Sequence, residues 1–567
     1  MSRRHPQSIA ARSRPRAVLF ALVTLMGLVG LVATGAAAVQ APKFLPDDPI
    51  ARDADDLPMP KPAEIEFSAI YDVFANSFAF KPQDEIPLAM NVSTLGEVPD
   101  SSWFTNRLGV HDLSIEELVR GPAIHDGPTG RLTVVSGKFS GITPGFSARD
   151  GRGDLYFIKL DPAEYPRLST AADVIGSKFF YAFGYNVPTN YIHYIQPDEL
   201  DISPQAEVVL TAERRRVRMQ RVHLDNILST AARLPDGRVR VVASLGIEGA
   251  PVGPFRFYGT RSDDANDIFP HQHRRELRGY FVLSALLNHD DSRSFNTLDT
   301  YVGEEGEGHL KHYLLDFSST LGSGSDTRRR IAPQNPRAGN EYIIEIKPAI
   351  ATALTMGIWE RPWMGIRYEY PLHPEAGRIE ADFFEPSRWK PEYPNPAFER
   401  MLLDDAFWAT KIVARLTDEA ILAILQTGRY EDPDTVEFLA RIIGQRRDKI
   451  VDYYFSQVNP LDDFRIDNGT LRFENLGERA GLATAEAYEY EWFRFDNDTR
   501  ELARIGGGET SDTELSLPSS PDRAGADYLM VRLRTRASGV PNWRRAVEVY
   551  VRLGAAPSVV GIEREID

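Results

Sequence analysis

The stretch "NHDDSRSFNTLDTYVGEEGEGHLKHYLLDF", Asn288 to Phe317, decides how this chain reads. It follows "HRRELRGYFVLSALL", whose Leu277, Tyr280, Phe281, Ser284 and Leu287 recur at helical spacing and predict a helix with one apolar face. Two aspartates and an asparagine then crowd one short loop, too polar for a core helix and too apolar at its edges for a plain solvent loop. The segment "TLDTYVGEEGEGHLKHYLL" carries a glycine-rich centre between two strand-like runs and predicts a hairpin. Closing that hairpin brings Asn296 and Asp316 together, although twenty positions separate them in the chain.

Working upstream, "LYFIKL" alternates as a strand, so Leu155, Phe157 and Lys159 share one face and Tyr156, Ile158 and Leu160 the other. Before it, "RLTVVSGKFSGITPGFSARDGRGD" reads as strand, glycine-rich turn and strand. Its glycines, Gly137, Gly141 and Gly145, suit either plain turns or a loop that cradles phosphate. After it, "STAADVIGSKFFYAFGYNVP" has helical spacing, stopped by Gly184 and Pro188, and carries Asp173 where an acid would meet Lys159.

These are the parts that phosphoryl transfer requires: a strand lysine for the phosphates, a backbone loop over them, a carboxylate for the acceptor hydroxyl, and oxygen ligands for Mg²⁺. Each has a plain alternative. A strand lysine commonly snorkels at an edge, an aspartate at a strand end caps a turn, and His289 lacks the partners of a metal site and reads as structural. The order of the parts along the chain is what sets them above chance. A metal-dependent hydrolase built on Asp290, Asp291 and Asp316 is a further possibility.

With those residues in hand, "NHDDSRSFN" and "YLLDFSSTLGSG" resemble the catalytic and metal loops of atypical kinases. The match is nearest to phosphoinositide lipid kinases, with HipA-type serine/threonine kinases and CotH-like or secretory-pathway kinases as looser relatives. The resemblance covers about 130–330. It implies an α+β, two-lobed kinase-like core, with a β-rich N-terminal lobe and a helical C-terminal lobe; beyond it, alternating runs such as "DYLMVRLRT" and "RRAVEVYVRLG" predict a C-terminal β-rich accessory domain. It implies Asp291 as base or hydroxyl positioner, Lys159 on the phosphates of ATP or another nucleotide, and Asp173 as the lysine's partner. Gly137 and Gly141 would lie in the nucleotide loop, and Asn296 and Asp316 would hold Mg²⁺. The sequence departs from the pattern in four places: Asp173 is shorter than the usual glutamate, Asp290 replaces an arginine, Ser318 replaces a glycine, and the glycine loop is not G-x-G-x-x-G. Two longer stretches, "YFIKLDPAEYPRLSTAADVIGSKFFYAFGYNVPTNYI" and "GTRSDDANDIFPHQHRRELRGYFVLSALLNHDD", also resemble a group of uncharacterised exported bacterial proteins over about 44–560. The implied function is an exported kinase acting on a protein, lipid or glycan hydroxyl, or a catalytically inactive kinase-like binding module of the cell envelope.

At 567 residues the chain is expected to form roughly two to four domains. Five of its 65 basic residues lie in the first 38 positions, which hold no acid, so the remainder sets 60 bases against 81 acids. Such a body argues against nucleic acid as a partner. The five arginines precede an apolar run, Ala17 to Ala38, that ends in an Ala36-x-Ala38 pattern. The run predicts either a cleaved signal peptide or an uncleaved transmembrane anchor. Both readings give an exported body, periplasmic, secreted or membrane-anchored. With no cysteine, disulfides and thiolate metal sites are excluded. The expected divisions are a signal or anchor at 1–38, a Pro/Asp-rich linker at 39–65, an N-terminal lobe at 66–255, a helical lobe at 256–463 and an accessory domain at 464–567. Within the last, "RIGGGETSDTELSLPSSPDRAG" reads as a polar loop.

Overall fold

A computed structural model describes residues 41–79, 85–138, 145–210, 215–325, 331–368, 375–519 and 525–566. The chain is α+β, 28% helix and 27% strand, with several sheets. The apolar run Ala17–Ala38 lies outside the described residues. Among the described ones, no helix is long and apolar enough to cross a membrane.

Seven strands make the first sheet: β1 (Thr133–Lys138), β2 (Gly145–Arg149), β3 (Leu155–Leu160), β4 (Asn190–Ile195), β5 (Asp201–Leu210), β6 (Arg215–Arg218) and β7 (Val239–Leu245). Their order is β4-β7-β3-β2-β1-β5-β6, antiparallel throughout except for the parallel β1–β5 pair. Strand alternation sends Tyr156, Ile158 and Leu160 into a core shared with Leu224, Ile227 and Leu228 of the helix Arg221–Leu228. The opposite face receives α1 (Leu168–Phe183), where Val174 packs on Ile192 and Val242. The start of α1 is tied to the end of β3 by Asp161, whose carboxylate accepts from the backbone N–H of Arg167 (3.0 Å), Ser169 (2.9 Å) and Thr170 (3.0 Å). That carboxylate satisfies donors that the first turn leaves open.

The far side of α1 belongs to a second core. Ala171, Ile175, Phe179, Phe180 and Phe183 pack with α2 (Arg275–Leu287), α3 (Leu403–Ala414), α4 (Asp418–Gln426) and α5 (Pro433–Gln457). Asp432 caps α5 by accepting from Asp434 N at 3.0 Å, with Pro433 at the first helical position as expected. The expectation of a one-sided α2 is corrected: every residue from Arg275 to Leu287 is buried. Helical periodicity marks the most apolar face, and here the charged face is also covered because Arg275 and Arg278 meet Asp405 of α3.

A three-stranded sheet adjoins this core: β8 (Ala250–Gly253), β9 (Thr297–Val302) and β10 (His309–Leu314), in the order β10-β9-β8. The predicted hairpin is β9–β10, with Thr297 opposite Leu314. Its register sets the residue before β9 beside the residues after β10. A short ribbon follows, β11 (Ser323–Ser325) and β12 (Ile331–Pro333). The C-terminal part is a sandwich of β13 (Leu461–Asp467), β14 (Thr470–Asn475), β15 (Ala485–Phe495), β16 (Leu502–Thr510), β17 (Glu514–Ser516), β18 (Tyr528–Ala537), β19 (Val547–Arg552) and β20 (Ser558–Arg564). Its sheets run β13-β14-β17 and β16-β15-β18-β19-β20, with Leu471, Trp492, Val531 and Val549 between them.

Three expectations about organisation meet a different arrangement. The described part of the 39–65 linker is extended but seated: Phe44 packs on Phe495, Tyr528 and Tyr550, Met59 N bonds Gly308 O at 2.9 Å, and Ile65 N bonds Val252 O at 3.0 Å. Its prolines prevent a regular ladder, yet its few apolar residues find pockets. The segment after residue 66 contributes Val98, Trp103, Phe104 and Leu108 to the helical core rather than to the seven-stranded sheet. The glycine triplet expected in a loop is part of β16, where Gly506, Gly507 and Gly508 pair with Trp492, Glu491 and Tyr490. Local polarity misread it because a sheet-edge strand needs backbone partners, not apolar side chains.

Candidate active site

Lys159 lies on the α1 side of β3, as alternation predicts, and its Nζ donates to Asp173 Oδ2 and Asp316 Oδ1, both at 2.9 Å. Burial alone pushes the ammonium's pKa down, but the two carboxylates outweigh it and hold the pKa above its ordinary value. Asp173 is held from behind. Its Oδ1 accepts from Asn190 Nδ2 and from Phe317 N, each at 3.1 Å, and Asn190 Oδ1 accepts from Ser244 Oγ at 2.6 Å.

Asp316 follows β10 with φ 56° and ψ 72°, a left-handed turn that aspartate tolerates better than most residues. The turn aims its carboxylate back at Lys159 and seats Phe317 on α1. Phe317 stacks on Phe180 with centroids 4.9 Å apart, and a Cβ on Gly176 would stand 2.5 Å from its Cβ. Gly176 is thus required by close approach. Asp316 Oδ1 also accepts from Ser318 Oγ at 2.5 Å, while its side chain keeps 42% of its exposure.

The hairpin register brings Asn296 alongside. Leu315 N donates to Asn296 O at 2.8 Å, and Asn296 Nδ2 donates to Asp291 O at 2.8 Å, which leaves Asn296 Oδ1 as an acceptor. Asp291 faces Arg293, with Nε 2.5 Å from Oδ1 and Nη2 3.1 Å from Oδ2. Arg293 also bonds Glu392 at 2.7 Å. Burial pushes the Asp291 carboxyl up to about 7; Arg293 opposes the shift, and Glu392 and Asp316 add to it. Its neighbour has another task. Asp290 Oδ1 accepts from Gln334 Nε2 at 2.8 Å, and burial holds its pKa well above the carboxylate range. Asp290 is thus turned to Gln334 and Asp291 to Arg293.

His289 is fully buried among Phe180, Tyr280 and Phe317, with Nδ1 3.1 Å from Ser319 Oγ. Burial pushes its pKa down to about 3, so the ring stays neutral and serves packing. Gly137 sits within β1, where a Cβ would stand 3.1 Å from Val208 and 3.2 Å from Met219, on the sheet face opposite Lys159. Gly145 pairs directly with Lys159 across β2–β3. Gly141 lies outside the described residues.

Reasoning from sequence missed four participants. Arg293 was visible as the only cation inside "DSRSFN". Glu392, Tyr393 and Asp72 carried no local signal, because they arrive from distant segments. Tyr393 OH donates to Asp72 Oδ2 at 2.7 Å, and Ser294 Oγ lies 3.4 Å from Asp72 Oδ1, so the helix Ala69–Phe74 closes over the loop.

Mg²⁺ takes near-octahedral oxygen ligands, of which the protein commonly supplies one or two and the substrate phosphates others. The half-exposed Asp316 carboxylate and the Asn296 Oδ1 fit that demand. Among the described residues, no group of three or more His, Asp or Glu side chains is placed to hold a metal ion. No family model matches the chain, and no curated protein or solved structure matches it either, so the geometry carries the functional argument by itself.

Proposed function

We propose that this chain is an exported, kinase-like protein that transfers a phosphoryl group from a Mg-nucleotide such as ATP to a protein, lipid or glycan hydroxyl. In this reading the seven-stranded sheet with α1 forms one lobe and the helical core the other. The observation that carries it is the meeting of β3, α1 and the β10 turn at one ammonium: Lys159 at 2.9 Å from both Asp173 and Asp316, with Asn296 tied beside them.

Lys159 presents its ammonium to the nucleotide phosphates, while Asp173, fixed by Asn190 and Phe317 N, holds it in place. Asp316 and Asn296 would hold the Mg²⁺, which supplies neutralising charge for the phosphates. Asp291 accepts the proton of the acceptor hydroxyl. A carboxyl with its pKa near 7 suits this, since a general base works best close to the ambient pH. Arg293 offers its guanidinium as a counter-charge beside that base.

One observation favours a second reading, a binding module without turnover: Asp291 is already clasped by Arg293, which Glu392 anchors. Incubation of the full-length protein with radiolabelled ATP and Mg²⁺ separates the two. Label transfer that Asp291→Ala abolishes is the expected result. Nucleotide binding without transfer would leave the module reading, and absence of binding would overturn both.

A further inference from the structure

A cavity near this loop lies away from Lys159. A space of about 1020 Å³ opens behind the loop, against Asn288, and none of Lys159, Asp291 or Asp316 lines it. Its volume matches the upper end of the roughly 300–1,000 Å³ typical of ligand sites. Its walls are aromatic: Tyr342, Trp359, Trp363, Trp389, Tyr453 and Tyr454 all contribute.

Three of these rings are pinned by their polar ends. Trp363 Nε1 donates to Glu341 at 2.6 Å, Tyr342 OH to Glu399 at 2.8 Å, and Trp389 Nε1 to Asn288 Oδ1 at 2.8 Å. Rings fixed in this way offer their faces at little cost in conformational entropy. The hydroxyl of Tyr454 is buried and has no hydrogen-bond partner among the described residues. A buried orphan hydroxyl calls for a partner that the chain itself does not supply.

The cations around the cavity are already hydrogen-bonded, two to carboxylates and two to backbone carbonyls. Lys390 bonds Glu345 at 2.6 Å, Arg388 lies 3.1 Å from Glu385, Arg378 donates to Gln334 O at 3.2 Å, and Arg446 donates to Leu286 O at 3.0 Å. An anionic ligand would find no unengaged cation among these. An acyl chain would leave the buried Tyr454 hydroxyl without a partner. A peptide would want a row of backbone donors and acceptors, whereas the wall offers side-chain faces. The occupant that fits has flat apolar faces, hydroxyl edges and no charge.

We propose that this cavity is a binding site for a neutral oligosaccharide, with sugar rings stacked on Trp359 and Trp363 and a sugar hydroxyl bonded to Tyr454. The proposal does not rest on phosphoryl transfer; a chain that binds no nucleotide would still present the site. The site also touches the loop chemistry through Trp389, whose segment continues to Glu392, the anchor of Arg293.

The test is titration of the full-length protein with maltohexaose, cellohexaose and chitohexaose, followed by tryptophan fluorescence and calorimetry, with dodecanoate as the apolar control. At least one sugar saturates a single site and changes the tryptophan emission. Trp359→Ala, a partly exposed position, and Trp363→Ala each weaken that binding at least about tenfold. Tyr454→Phe, which removes one oxygen, weakens it about fivefold, as expected for one hydrogen bond. Three results would overturn the proposal: no saturation by any of the sugars, saturation by dodecanoate alone, or sugar binding that all three variants leave unchanged.

Discussion

Two lysines in this molecule sit between paired carboxylates, and their surroundings differ. Lys159 bridges Asp173 and Asp316 where β3, α1 and the turn after β10 meet. Lys411 of α3 bridges Glu97 and Asp462 where the helical core meets the sandwich, and Asp462 also accepts from Arg564 at 2.8 Å. Around Lys411 the acids are unequal, Asp462 at 7% and Glu97 at 30% side-chain exposure, and the cluster is denser: Arg564 shares Asp462, and Arg275 with Asp404 extends the charges. Around Lys159 one acid is sealed at 2% and the other, on a left-handed turn, stands at 42%. A buried ion pair by itself is weak evidence of chemistry, because structural networks make the same contacts. What separates the two is placement: Asp316 projects from a left-handed turn next to the Asn296 segment, whereas Asp462 is shared between two cations.

The largest effect expected from this contrast falls on the Lys411 cluster. Asp462→Ala leaves Lys411 and Arg564 buried without their shared partner and lowers stability by about 3–5 kcal/mol, read as a lower melting temperature. Any stabilisation by Mg-ATP persists in that variant, and its loss would erase the distinction between the clusters.

Acid sensitivity comes next. The folded state depresses the His289 pKa from its ordinary 6.5 to about 3, so the folded chain binds fewer protons between those values. The stability from neutral His289 is present above pH 6.5 and is lost as the pH falls toward 3, on the order of 3 kcal/mol by pH 4. His289→Gln should flatten the acid limb of a stability–pH curve, and an unchanged limb would show that the ring is not the group responsible.

The smallest effect is kinetic. Asp291 has a raised pKa, so its carboxyl is protonated below about 7, and the proposed phosphoryl transfer should rise as the pH climbs through that value. The same shift costs the fold stability as the pH rises from the ordinary carboxylate range toward 7. Glu392→Gln removes one of the negative neighbours that raise the pKa, and the rising limb moves to lower pH. A shift to higher pH would mean that losing the anchor of Arg293 outweighs losing the charge.

The cleft was legible where chemistry follows local geometry. Strand alternation placed Lys159, helical spacing placed Asp173, and the hairpin between glycines brought Asn296 to Asp316. The two aspartates were separable through the kinase pattern D-x-x-x-x-N, which Asp291 and Asn296 match and Asp290 does not. The clasp from Glu392, Tyr393 and Asp72 was not legible, because nothing local records which distant segment will cover a loop. For the same reason the fully buried α2 read as one-sided: periodicity marks the face that must be covered and says nothing of partners for the charged one. The seated strap at 41–65 was hidden by its prolines and aspartates, which describe a backbone without a ladder and not one without contacts.

The central claim, that the open carboxylate at Lys159 marks a nucleotide site, is tested most directly by the melting temperature of full-length protein with and without Mg-ATP, for the parent and for Asp316→Asn. The substitution keeps the shape of Asp316 but removes one of the two charges at Lys159, so each protein is compared with its own unliganded melt. The account predicts that Mg-ATP raises the melting temperature of the parent and leaves that of Asp316→Asn unmoved, since only binding to the folded state stabilises it. Equal shifts in both proteins, or none in the parent, would contradict it.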